Sequence, residues 1–304
     1  MRPSNLAVLT TYFDPLHRPE RIAAWKRWNA GMVARGIHPL TIEGTFPQQE
    51  SVLCAERGSM VLVASMPADK LCQKESLLNL AIRNLPSAVD AVCWCDADVL
   101  IDFKGDWQAA VLDCLGEHEV CQPWSSAQFL GPLDDVLTWF GKTETLSAAV
   151  AVSHGLHSDW LFNGHAGLCW AATRHWLDMT GGLYANDPLP TGDLAMAAWL
   201  LGLGNEHRHL QRSNDAVRAD VAVWGQRAVE SLGGRGVGFV PGAKLNHLWH
   251  GPQEDRKYGR RGVRAARIGF DPSKHLRRES DGLLRWSDEV PLELVRFCAE
   301  MMEG

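Results

Sequence analysis

One stretch constrains this chain more than any other: "AVCWCDADVLIDF", Ala91 to Phe103. The run is apolar enough for a strand buried on both faces, yet Asp96 and Asp98 stand near its middle. A buried carboxylate is costly to ionise unless a cation or several donors meet it. Either the strand ends at Cys95 and the two acids sit at its mouth, or something positive is bound there.

The flanking sequence says what kind of sheet this strand joins. "NLAVLTTYF" (Asn5 to Phe13) reads as a buried strand, and Ile22, Trp25, Trp28, Met32 and Val33 follow at helical spacing until Gly36. "IHPLTIEGTF" and "SMVLVAS" read as strands, "KLCQKESLLNLAIRNLP" as a helix, and "AVDAVCWCDADVLI" as a fourth strand. Strands alternating with helices predict a mostly parallel α/β sheet. Ligands of such sheets bind at the carboxyl ends of strands, where the two Asp would fall.

Further on, "DWQAAVLDCLGEH" predicts a helix and "VCQPW" a short strand. Residues 125–159 show weak periodicity and read as a variable excursion with a helix or two. "GLCWAA" predicts a strand, followed by a helix from Thr173 that stops at Gly181-Gly182. "TGDLAMAAWLLG" and "ADVAVWGQRAVESLG" predict helices, and "VGFVPGAKLNHLWHG" a late strand running into a His-rich turn. With 304 residues there is room for one large domain or two small ones.

Charge is uneven. The chain carries −6 overall, but between Glu254 and Arg278 nine Lys or Arg face three acids. Such a block on an acidic protein points to a specific anionic ligand or to a solvated helix face. No apolar run approaches the roughly 20 residues that span a bilayer, and the start shows no signal-peptide pattern. The expected location is therefore a cytoplasm. The eight cysteines form no regular framework, and Cys93 and Cys95, two apart on a strand, read as packing rather than as a zinc site.

Several groups carry possible chemistry. Asp96 and Asp98 at a strand end could hold Mg²⁺ or Mn²⁺, hard ions that complete their shells with water and phosphate oxygens. His247 and His250 would point apart on a strand or turn and share a face on a helix, so a single His is expected as the third ligand. Asp193, opening a helix, is either a cap or a general base. Of the thirteen tryptophans, Trp25, Trp28 and Trp199 sit at core spacings, while Trp124 and Trp249 are better placed to face a ligand.

Taken in order, these segments resemble the GT-A fold glycosyltransferases. "VCWCDADVLI" after "QKESLLNLAIRNLP" resembles their DxD strand and the helix before it, and "NGHAGLCWAATRHWLDMTGGLY…TGDLAMAAWLLG" their acceptor side. "HLWHGPQEDRKYGRR" resembles their late metal-and-diphosphate turn, most closely that of small bacterial and phage-encoded members. The likeness runs from about residue 5 to 262, with 125–159 unmatched.

The resemblance implies a mixed, mostly parallel Rossmann-like sheet in a single domain. Residues 1–105 would bind nucleotide, 106–250 would bind acceptor, and the basic segment 251–304 would close over the donor. Asp96 would meet the ribose or the metal, and Asp98, with His250 or else His247, would bind the metal. Thr10, Thr11, Tyr12, Glu43, Lys74 and Asn79 would line the nucleotide side. Arg256, Tyr258 and Arg261 would hold the diphosphate. Asp193 would be the base of an inverting enzyme, although the single "GD" followed by Leu194 leaves the stereochemistry open.

The expected activity is transfer of a sugar from a nucleotide donor, a UDP-sugar first, to a hydroxyl, with Mn²⁺ or Mg²⁺ as cofactor. The acceptor expected is a hydroxymethylated base in phage DNA, or else a cell-surface or lipid-linked glycan. Two rivals from other classes are a nucleotidyltransferase, whose Gly-rich loop "TTYFDPLHRP" lacks, and a non-catalytic sugar- or nucleic-acid-binding module.

Overall fold

The computed structural model describes residues 2–54, 56, 60–138, 141–156, 164–251 and 261–303. Strands β1 (Leu6–Phe13), β2 (Leu40–Thr45), β3 (Met60–Ser65) and β4 (Ala91–Cys95) are interleaved with helices α1 (Pro19–Val33) and α2 (Lys74–Asn84). Pro19 suits the first turn of α1, where its missing N–H has no partner to lose. With β6 (Val120–Gln122), β10 (Cys169–Thr173) and β11 (Val237–Phe239) these strands form a seven-stranded sheet in the order β11-β6-β10-β4-β1-β2-β3. Its neighbours are parallel except β10, which runs against both β4 and β6. The expected mixed α/β fold with a mostly parallel sheet between helices is therefore what forms.

Period-two alternation sorts the core into two layers. Leu9 of β1, Val92 and Trp94 of β4, and Trp170 and Ala172 of β10 face one cluster. It contains α2 and three later helices, α5 (Arg174–Thr180), α6 (Gly192–Leu200) and α8 (Asp215–Glu230). Val8, Tyr12, Ala91, Cys93, Cys95, Cys169 and Ala171 face the other, with α1 and α3 (Trp107–Glu117). Both faces of β4 are thus covered, which is why it reads as an unbroken apolar run.

That run is not one strand. β4 ends at Cys95, the chain turns through Asp96 to Asp98, and β5 (Val99–Asp102) belongs to a second sheet ordered β5-β12-β7-β8-β9. Its other strands are β7 (Ser126–Phe129), β8 (Thr145–Ser147), β9 (Gly164–His165) and β12 (Lys244–His247). The described part of 125–159 therefore contributes sheet and the short helix α4 (Ala148–Ser153). The late "strand" is likewise two, β11 in the large sheet and β12 in the small one.

Two further expectations are corrected. Cys95 does more than pack, because antiparallel β10 sets Cys169 opposite it and the two form a disulfide, with the Cys93 sulfur 3.4 Å from that of Cys169. Trp124 is fully buried and donates its indole N–H to the Cys169 carbonyl at 3.0 Å, so it is core and faces no ligand.

The end of the chain docks on the start of α2. The Gln73 side-chain amide pairs with Leu284 of strand β14 (Leu284–Trp286) in both directions, at 2.7 and 3.1 Å. Leu71 and Leu189 share a cluster with Phe270, Leu284, Trp286 and Phe297. Among the described residues no helix is long and apolar enough to cross a membrane.

Asn79 of α2, expected to face a nucleotide, instead closes this core. It is buried, and its amide donates to the Leu183 carbonyl at 2.9 Å and accepts from the Leu183 N–H at 2.8 Å. Gly182, at φ +98°, leaves the space, since a Cβ there would lie 2.5 Å from the Asn79 oxygen. Asn79→Ala strands two buried backbone groups, each costing about 1–3 kcal/mol. Urea denaturation should show a lower midpoint at unchanged slope; a midpoint equal to the parent's would contradict the clamp.

Candidate functional site

The strand order 3-2-1-4 reverses direction between β1 and β4, and ligands of open α/β sheets bind beyond the carboxyl ends of strands at such a point. The turn Asp96–Asp98 lies there. It is bolted in place by backbone bonds from three sides. The Thr10 hydroxyl donates to the Cys95 carbonyl at 2.7 Å, the Asp96 N–H to the Leu168 carbonyl at 2.7 Å, and the Leu248 N–H to the Asp98 carbonyl at 2.7 Å. Leu168 itself holds the left-handed region at φ +76°, a strain of the kind that surrounding structure must enforce.

The two carboxylates turn to different partners. Asp96 accepts from the Lys74 ammonium at 2.5 Å. Asp98 faces two imidazoles, with His250 Nε2 3.1 Å from one oxygen and His247 Nε2 3.8 Å from the other. One ligand atom from each of Asp98, His247 and His250 lies within 4.8 Å of the others. The small sheet brings them together. In the register of β12 against β5, His247 sits opposite Val99, one residue past Asp98. The strand ends there, and the following turn folds His250 back until the two rings are 5.3 Å apart. The expectation that the imidazoles would diverge is corrected by this turn. Two imidazoles and a carboxylate with ligand atoms this close suit a first-row divalent ion such as Mn²⁺ better than Mg²⁺, which wants oxygen ligands. Asp96 stands outside the group, on Lys74.

Across the turn, α2 begins beside Asp96 and the Asp193 of the first turn of α6 acts on the same Lys74, and the amino ends of helices attract anions. Lys74 opens α2. Burial works against its charge, but Asp96, Asp193 and Glu75 more than offset this and hold the ammonium well above the ordinary lysine range. Asp193 lies in the first turn of α6, and no side-chain cap comes from the preceding Thr191. Its carboxylate rests on Gly167, where a Cβ would come 2.3 Å from the Asp193 oxygen, and it accepts from the Leu194 N–H at 2.9 Å. His165, which the sequence did not single out, sits on the same glycine. Its Nδ1 accepts the Gly167 N–H at 3.1 Å, and its ring lies 5.8 Å from Phe129, whose other neighbour at 5.0 Å is His247.

The remaining candidates divide. Thr10 is buried and spends its hydroxyl on Cys95. Thr11 lies on the α2 face of β1, half-buried. Tyr12 packs in the α1 layer with no hydrogen-bond partner for its hydroxyl among the described residues, and burial, then Asp14, keep its phenol far above the usual range. Glu43 does not reach for a nucleoside. Its buried carboxylate accepts from the Ser51 hydroxyl at 2.5 Å and from the N–H groups of Val52 and Leu53 at 2.8 and 3.3 Å, tying down that loop. Arg256 and Tyr258 lie outside the described residues, as does the side chain of Arg261. Trp249, beside the His pair, is 36% exposed.

No protein-family model and no curated relative matches the chain. Solved structures align with nearly all of it. The catalytic domain of Drosophila β1,4-galactosyltransferase 7, in complex with xylobiose, is 10% identical, with 97% of this chain and 98% of that one covered and a TM-score of 0.37. Glucosyl-3-phosphoglycerate synthase from Mycobacterium tuberculosis, with Mn²⁺, UDP and glucosyl-3-phosphoglycerate, is 11% identical over 93% and 87%, with a TM-score of 0.41. Mannosyl-3-phosphoglycerate synthase from Rubrobacter xylanophilus is 13% identical over 94% and 88%, with a TM-score of 0.40. At these scores the likenesses stand as similarities alone.

The geometry predicts distinct roles for the two acids. Mn²⁺ titration followed by electron paramagnetic resonance should show Asp98→Ala, His247→Ala and His250→Ala each weakening binding on the order of 100-fold or more, since even outer partners of a metal site matter by 10–100-fold. Asp96→Asn should stay within a few-fold of the parent. Affinity equal to the parent's in both histidine variants would rule the cluster out as a metal site.

Proposed function

We propose that the protein is a metal-dependent glycosyltransferase of the GT-A type, moving a sugar from a nucleotide donor, a UDP-sugar first, to an acceptor hydroxyl. One observation carries this. At the switch point of the large sheet, a three-ligand cation cluster and a second, Lys74-centred charge cluster flank a single rigid turn.

Asp98, His247 and His250 would hold the ion, which when bound supplies charge to a leaving diphosphate. The other work falls to the chain itself. Lys74 and the amino ends of α2 and α6 favour phosphate oxygens. Asp193 is the candidate to take the proton of the acceptor hydroxyl, held at a fixed height by Gly167. The backbone bonds around Asp96 and Asp98 set this geometry before any ligand arrives, so little reorganisation is needed at the reacting centre.

The electrostatic case for a DNA acceptor weakens in the structure. Arg264 pairs with Glu300 and stacks over Phe297, Lys274 pairs with Asp271, Arg277 pairs with Glu279, and Arg278 bonds the Gly282 carbonyl and Asn186. Of the five basic side chains of this block that the structure describes, these four thus have partners within the chain. We favour a glycan hydroxyl as acceptor over a hydroxymethylated base in DNA.

With Mn²⁺ and a panel of nucleotide sugars, nucleoside diphosphate should be released from one donor class. Asp98→Ala should abolish release. Asp193→Asn should lower turnover by about 10²–10⁴ with the donor KM within a few-fold of the parent. Silence across the whole panel would overturn the reading. Transfer to modified DNA that falls steeply with salt would return DNA as the acceptor.

A further inference from the structure

Glu75 is the second residue of α2 and is buried. Its carboxyl lies against the Cα of Gly192, the residue before Asp193. A Cβ at 192 would come 2.8 Å from the Glu75 carboxyl carbon and 2.9 and 3.1 Å from its oxygens. The groups facing it are Cys72 and Lys74 from its own segment, Asp187 from the loop before α6, and Asp193 from α6 itself.

These groups are not equally provided for. Asp96 holds the Lys74 ammonium. Asp187 accepts from the Leu189 N–H at 3.0 Å and from the Thr191 hydroxyl at 2.5 Å, and Asp193 accepts from the Leu194 N–H. The Glu75 carboxyl has its own backbone N–H as a donor and no side-chain donor among the described residues, and it is the one of the three carboxyls that is fully buried, Asp187 and Asp193 being only half-buried. Where carboxyls crowd one ammonium, they cannot all ionise, and the proton stays on the one that burial penalises most.

We propose that Glu75 is a positioning residue that keeps its proton at neutral pH, so that the Lys74 ammonium is left to Asp96 and the start of the Asp193 helix is seated on an uncharged group. Burial pushes this carboxyl up to about 8, with Lys74 acting against the shift and Asp193 and Asp187 adding to it. Above that pH Glu75 gives its proton to water and competes with Asp96 for Lys74. The consequence for turnover rests on the glycosyltransferase reading; the protonation itself does not.

Carbon-13 NMR of glutamate-labelled protein, with Glu75→Gln to assign the resonance, tests the proton directly. One carboxyl should titrate near 8. Stability supplies a second measurement. The native state keeps a proton that the unfolded chain gives up at the ordinary glutamate range, so this group's contribution falls as pH rises from about 4.5 to about 8 and is flat above. The Tm of Glu75→Gln should therefore gain on the parent's across that window. In the donor assay the parent should lose turnover above about pH 8 and Glu75→Gln should lack that alkaline limb. A Glu75 carboxyl that titrates in the ordinary range, with the two Tm curves parallel, overturns the proposal even if transfer is found. If no donor is turned over, the functional reading fails while the carboxyl titration still decides Glu75.

Discussion

Everything the site does depends on where β4 stops. Cys95 is the last residue of a strand covered on both faces, and Val99 begins a strand in a different sheet. Three residues must cross between them, and their backbone groups need partners as the chain leaves the ladder. Those partners come from β1, from the approach to β10 and from the exit of β12. The same bonds that make the crossing possible also draw the Asp193 side and the histidine side toward the two acids. Architecture and site are thus one set of contacts.

Glycine has a particular part in this arrangement. Gly167 gives room to the Asp193 carboxylate, Gly192 to Glu75 and Gly182 to Asn79, each where a Cβ would lie within 3 Å of the polar group. A buried polar side chain needs space as well as a partner. Here a neighbouring loop or helix start supplies the space by lacking a side chain. The result is a polar seam through an apolar core, with each group lodged against backbone and held there.

How much of this was legible in the sequence follows from element length. The large sheet was readable because its strands are continuous apolar runs separated by amphipathic helices, and Asp96 and Asp98 stood out by interrupting one of them. The small sheet was not, because strands of two to four residues, such as Gly164–His165 and Thr145–Ser147, carry no periodicity. With it were hidden the approach of His165 and Phe129 and the convergence of the two imidazoles. Glu43 and Asn79 misled for another reason. A polar residue in an apolar segment must find partners, but its sequence does not say whether they are a ligand or the chain's own backbone. Both proved to hold loops. The Cys95–Cys169 bond was hidden because cross-strand register is not a property of either strand alone.

The spacing of the acidic pair now has a physical meaning. A single small residue, Ala97, separates two carboxylates, and the turn sends them to opposite sides: one to a fixed ammonium, the other toward two imidazoles. Two anions on one side would repel each other and share one cation. Divided, Asp96 has the Lys74 ammonium as its partner and Asp98 is left facing the two imidazoles. The division also separates tasks, because Lys74 can respond to Glu75 and Asp193 without disturbing the groups around Asp98. In this arrangement Asp96 acts as a fixed anchor for Lys74, and on the proposed reading Asp98 is the one left to meet a cation.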